Sequence, residues 1–196
     1  MATTLLPFRQ VSENDVVNLF AYNGSAATRG LVIKLDTSNG WKLSDGFGLD
    51  SINNSVANTV SDRYNVKARV STCTSGDVAF GMLMYDVAET DENGEKLIYH
   101  PRKAHEMQVS VSGQAVPVLT KGIVLIKMDT ADANGATIAA GTNAYADDAG
   151  IVAATTDTTP PVDFNRIGTF LGPVDTNGEV LVKLDFNGAH DHYSAS

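Results

Sequence analysis

The sequence predicts an all-β fold, and three observations carry that prediction. One phrase occurs three times: residues 30–36 read GLVIKLD, 122–129 read GIVLIKMD and 178–185 read GEVLVKLD. Aligned on their lysines, Leu31/Ile33/Leu35, Val124/Ile126/Met128 and Val180/Val182/Leu184 each fall on one face, the period of two that marks a half-buried strand. The unequal gaps between copies exclude a solenoid array, and reuse of apolar runs by any β-protein accounts for the repetition as well. The second observation is turn chemistry between the apolar runs, plainest at Asn177-Gly178 within residues 166–186. That pair accepts the positive φ angles of a tight hairpin. The third is composition: 43% hydrophobic residues but only 7% aromatic, with 17 glycines and 6 prolines, favours many short strands over long helices.

At 196 residues the chain is large enough for one domain with a sizeable core. Three regions are expected: an extended N-terminal arm over 1–15, a single β-rich domain over 16–186, and a flexible C-terminal tail over 187–196. In the arm, Leu5, Leu6 and Phe8 cluster around Pro7, and a proline restrains its neighbour to extended backbone. Residues 16–22 and 30–35 read as strands joined by a turn-rich hairpin or crossover. Residues 37–61 are rich in Gly, Ser, Asn and Asp with Trp41, Phe47, Leu49 and Ile52 scattered among them. A stretch of that length without periodicity is an irregular, contact-forming insertion, pinned by Trp41, with Trp41 and Phe47 as its surface-contact candidates.

Further along, residues 63–72 alternate weakly. Residues 78–87 are nearly all apolar and read as a buried central strand, a pattern a short buried helix shares. ETDENG at 89–94 is turn chemistry, and with a strand over 96–100 it suggests a hairpin around Asn93-Gly94. Residues 103–106 carry one turn of helix. Strands are then expected over 107–112, 115–120 and 122–128, followed by a polar loop over 129–135, a segment around Ile138 and Tyr145, and a short run over 151–154. TTDTTPP at 155–161 is a stiff connector. A dozen or so short strands form a barrel or a sandwich.

The formal charge of −9 and pI near 4.7 argue against a nucleic-acid partner, because phosphate binding relies on clustered Lys and Arg. An anionic membrane surface is disfavoured for the same reason. The single cysteine, Cys73, forms no internal disulfide and reads as a small buried thiol, which fits synthesis in a cytoplasm. No secretory signal or membrane-spanning run is legible.

Reactive constellations are expected to be absent, and the chain is read as a non-enzyme without cofactor. His190-Asp191-His192 offers two imidazoles on a tail, which is half a metal site. Residues 130–141 overlay part of an EF-hand loop but fail at its first and twelfth ligands, Thr130 and Gly141. No G-x-S-x-G elbow or Walker sequence occurs, and Gly46-Phe47-Gly48 lacks the third glycine of a dinucleotide fingerprint. Paired acids are spatial and stay open at this stage.

The order of the pieces resembles the capsid decoration, or cement, proteins of tailed bacteriophages. FGMLMYDV is followed by an acidic glycine turn, then MQVSVSGQAVPVLTKGIVLI, GATIAAGTNAYADDAGIVAA and RIGTFLGPVDTNGEVLVKL. Gly135, Ile138, Gly141 and Tyr145 nearly match the spacing of that family's barrel-entry segment, and Ile167-Gly168 with Asn177-Gly178 match its last hairpin. The resemblance covers residues 78–186; the long first part, particularly 37–61, departs from it. It implies a compact β-tulip-like barrel and a protein of the outer capsid surface, made in the host bacterial cytoplasm and carried on the virion. It also implies a homotrimer clamping junctions between major capsid protein subunits. Leu5, Leu6 and Phe8 are then the expected capsid anchors, adding as a strand to a partner's sheet. Two other classes are carried beside it: a head-fibre or glycan-binding module using the Trp41 region, and a cell-wall-polymer hydrolase.

Overall fold

The structure is a computed structural model that describes residues 5–8, 12–36, 69–74, 77–128, 137–147, 149–154 and 166–186. It is all-β. The described strands are β1 (Leu5–Pro7), β2 (Val16–Ala21), β3 (Val32–Asp36), β4 (Arg69–Thr72), β5 (Ala79–Leu83), β6 (Asp86–Ala88), β7 (Val109–Val111), β8 (Ala115–Leu119), β9 (Lys121–Lys127), β10 (Asn143–Ala146), β11 (Val152–Ala153), β12 (Arg166–Phe170) and β13 (Glu179–Asp185). Among the described residues one α-helix, α1 (Pro101–Glu106), joins them.

Two antiparallel sheets face each other across the main core. One runs β1-β9-β13-β12-β10-β11 and the other β2-β8-β5-β3-β4, while β6 and β7 form a separate parallel pair. Val124, Ile126, Val180, Val182 and Leu184 enter the core from the first sheet, and Val32, Met82 and Leu119 from the second. Sequence left barrel and sandwich open, and the structure combines features of both. The chain bends at Thr120 to pass from β8 in one sheet to β9 in the other, the way orthogonal packings make their corners. The bend is held by Thr120 N–H and Oγ1 donating to Asp15 O (2.8 and 3.0 Å) and by Phe186 N–H donating to Thr120 O (3.2 Å). A second junction forms where Val32 N–H donates to Gly150 O at 2.7 Å.

The second and third copies of the repeated phrase pair with each other: Val180 lies opposite Ile126, and Val182 opposite Val124. Their shared face is core, as the period of two requires. The first copy behaves differently. β3 lies inside the other sheet, so Val32 enters the main core while Ile33, on the opposite face, enters a second cluster with Val70, Leu83, Val116 and Val118. Leu35, grouped by sequence with Leu31 and Ile33, is exposed near the strand's end.

Several expectations are corrected. Residues 78–87 do not form one strand: β5 ends at Leu83, and a bend at Met84 and Tyr85 leads into β6. Residues 96–100 are not a strand, since Leu97–Tyr99 is a 3-10 turn that runs into α1. Pro101 at its first helical position helps start that helix, its missing N–H having no intrahelical role there. The hairpin loop at Asn177-Gly178 is not a two-residue turn with two positive φ angles. Gly178 alone takes φ 78°, giving a three-residue loop closed by the Asp175 N–H bond to Glu179 O (2.8 Å). The N-terminal stretch is not a free arm where it is described. Leu5 and Pro7 pair with Ile126 and Val124 of β9, and Glu13–Asp15 is a 3-10 turn leading into β2. The insertion at 37–61, the connector at 155–161 and the tail at 187–196 lie outside the described residues.

Candidate functional site

The outer face of the six-stranded sheet follows from the strand period. With Val124 and Ile126 turned into the core, Lys121, Ile123, Leu125 and Lys127 turn outward from β9; with Val180, Val182 and Leu184 inward, Glu179, Leu181, Lys183 and Asp185 turn outward from β13. The register sets Leu125 opposite Leu181 and Ile123 opposite Lys183. Lys121 faces Asp185 at one end, and Lys127 faces Glu179 at the other. Opposite charges directly across an antiparallel pair stabilise the pairing modestly. They also leave an apolar centre bordered by compensated charge.

That centre extends sideways. Phe8 N–H donates to Ile123 O at 3.1 Å, and Leu171 N–H donates to Leu181 O at 2.8 Å, so both residues adjoin the same rows. Phe8 is 52% exposed, and Ile123 and Leu171 are exposed as well. Sequence reading placed Glu179, Leu181, Lys183 and Asp185 together on one face without assigning it a role. The legible signal was the leucine kept among charges on a solvent-side row, repeated by Ile123 and Leu125 in the matching phrase.

The anchors expected from sequence separate. Leu5 is only 2% exposed and belongs to the molecule's own core, so it is not available to a partner. Residue 6 lies opposite Leu125 in the register. Phe8 alone of the three is shown at the surface. Trp41 and Phe47 lie outside the described residues, as do Gly46, Gly48, His190, Asp191 and His192 and residues 130–136 of the EF-hand-like stretch.

Two loops share a device that sequence reading passed over. DENGE at 91–95 and DTNGE at 175–179 fold alike: Asp91 Oδ1 accepts from the N–H groups of Asn93 and Glu95 (both 2.8 Å), and Asp175 Oδ1 accepts from Asn177 and Glu179 (both 2.8 Å). The aspartate closes its own turn as an Asx cap. The identical D-x-N-G-E spelling was the available signal. Asp91 differs in being buried, and its second oxygen takes the Lys103 ammonium from α1. The Lys103 hydrogen bond, outweighing burial, holds the Asp91 carboxyl below the usual carboxylate range, and that same bond raises Lys103. The hairpin tip is thereby tied to the helix.

Cys73 is buried in the main core, as expected. Beside it, Asp77 takes Lys34 Nζ at 2.7 Å and both the N–H and Oγ1 of Thr74 (2.8 and 2.6 Å). Burial alone would raise that carboxyl, but the Lys34 and Thr74 hydrogen bonds outweigh it and hold it low. These are partnered groups. Among the described residues no cluster of three or more His, Cys, Asp or Glu side chains is placed to hold a metal ion, and no helix is long and apolar enough to cross a membrane.

An all-β protein with an apolar, charge-bordered sheet face is the class that fold and surface define. No protein-family model matches the chain, and no curated protein matches its sequence.

Proposed function

We propose that this chain is a structural protein of a bacteriophage head, docking on the outer surface of the capsid through the outer face of its six-stranded sheet. The observation that carries the reading is the Ile123/Leu125/Leu181 centre with its Lys–Asp and Lys–Glu borders, continued by exposed Phe8. An apolar centre with a polar rim is the anatomy of a protein interface, and exposed contiguous apolar residues mark interaction surfaces on soluble proteins. The resemblance of residues 78–186 to decoration proteins supplies the partner, the major capsid protein, and the homotrimeric state. In that assembly three copies of one face engage neighbouring subunits. Each later contact then forms at high effective concentration, and the junction resists opening under internal DNA pressure without any covalent step.

Co-sedimentation with purified capsids tests the reading. Wild-type protein is expected to pellet with capsids at fixed stoichiometry, while Ile123→Asp and Phe8→Ser variants with wild-type circular dichroism stay in the supernatant. Failure of the wild-type protein to pellet, or wild-type stoichiometry in both variants, overturns it.

A further inference from the structure

A cleft of about 450 Å³ opens where β1, the bend after β5 and the C-terminal end of α1 meet. Met84 and Val109 give it an apolar wall, and Arg29, Tyr85, His105 and Gln108 supply its polar groups. That volume is in the range of small-ligand sites, which combine apolar walls with a few convergent polar groups. Arg29 is half-buried, and its main chain is fixed by donating N–H to Asp86 Oδ1 at 2.7 Å. Its guanidinium, by contrast, has no hydrogen-bond or ion-pair partner among the described residues. In a chain with a formal charge of −9, a half-buried arginine left without a carboxylate has an open valence for an anion.

Gln108 adds an independent observation. It is the one non-glycine residue with positive φ (55°) among the described residues, a conformation in which a β-carbon crowds the following carbonyl. The position follows the end of α1, with its N–H donating to His105 O at 3.1 Å, where glycine serves without strain. A glutamine there, lining the cleft, places backbone strain in the cleft wall.

We propose that this cleft binds an aliphatic monocarboxylate, its carboxylate on the Arg29 guanidinium with Gln108 and His105 as further donors, and its aliphatic body on Met84 and Val109. A single arginine beside an apolar wall suits a monoanion that carries an apolar body. The inference does not depend on the capsid reading. Such a group comes either from a free acid or from the carboxyl end of a peptide.

Amide chemical-shift titration tests this on the full chain, with hexanoate for the free acid and N-acetyl-leucine for the peptide end. N-acetyl-leucinamide and inorganic phosphate serve as controls. One or both carboxylates are expected to shift Arg29, Met84 and Val109, the tighter of the two naming the source, with the amide and phosphate weaker. Arg29→Gln, which loses no intramolecular side-chain partner, should weaken binding by about tenfold or more. Gln108→Gly should weaken binding while raising Tm by a few degrees. No saturable shift with either carboxylate, equal binding of the amide, tighter binding of phosphate, or unchanged affinity in Arg29→Gln would overturn it.

Discussion

Cys73 lies in the main core, where burial, and after it the Asp77 charge, push its thiol from the ordinary 9.0 up to about 11 against a partial offset from Lys34. A folded-state pKa above the unfolded one means the native state holds its proton longer. The associated stability is therefore present below the unfolded pKa and is lost as pH rises toward the folded one. Urea midpoints should fall between about pH 9 and about pH 11, and Cys73→Val should remove part of that fall. The native thiol should also stay inert to a disulfide reagent near neutrality, because the thiolate is the reactive form. Asp91 and Asp175 have the opposite sign. Asp91 is lowered first by the Lys103 hydrogen bond, and Asp175 first by the Glu179 N–H. Their contribution is present above the ordinary carboxylate range and lost as pH falls through the folded values. Asp91→Asn and Asp175→Asn should each flatten the acid limb of stability, compared by urea midpoints at about pH 7 and about pH 3.

Elements were legible in proportion to how local their cause is. β9 and β13 follow directly from alternation in residues 121–127 and 179–185, because each has one buried face and one solvent face. The run at 78–87 was misleading because it crosses two environments, a strand with core on both faces and then the start of a separate parallel pair. Periodicity records burial and not a change of partner. Residues 96–100 misled for a related reason. The turn at Asn93-Gly94 does close as an antiparallel bridge between Thr90 and Lys96, but Leu97 is buried against Ala104 and Val111 in a small cluster of its own and does not extend a strand. Glycines separate in the same way. A β-carbon at Gly81 would meet Val118 Cγ1 at 2.4 Å and Leu119 O at 2.9 Å, whereas one at Gly172 meets nothing within 4 Å. Gly81→Ala should lower stability by about 2 kcal/mol or more, through overpacking between β5 and β8. Gly172→Ala should change it by less than about 0.5 kcal/mol in the same urea titration.

At the scale of the molecule, the N-terminal segment matters most. A proline-bounded apolar cluster reads as a free arm, yet Leu5 is part of the core shared by the two sheets and β1 is the edge strand of one of them. Leu5→Ala should cost about 3 kcal/mol, and deleting residues 2–12 should lower Tm sharply, both measured by thermal unfolding. A deletion variant as stable as wild type would show that β1 contributes nothing to the fold. This also reassigns docking: a segment holding the core closed is poorly suited to leave it for a partner, whereas the outer sheet face is exposed without any rearrangement.

The strands over 121–127 and 179–185, the turns at Gly94 and Gly178 and the buried thiol were determined by sequence alone, because each depends on neighbours a few residues apart: alternation, a glycine in the left-handed region, a small apolar side chain. Tertiary structure decided which strands pair, that β3 carries core on both faces, that Leu5 turns inward while Phe8 stays out, and that Arg29 lines a cleft with no carboxylate among its described lining residues. Those outcomes depend on residues up to a hundred or more positions away, as when Asp15 holds the bend at Thr120, and no local pattern encodes which distant surface will cover a given face.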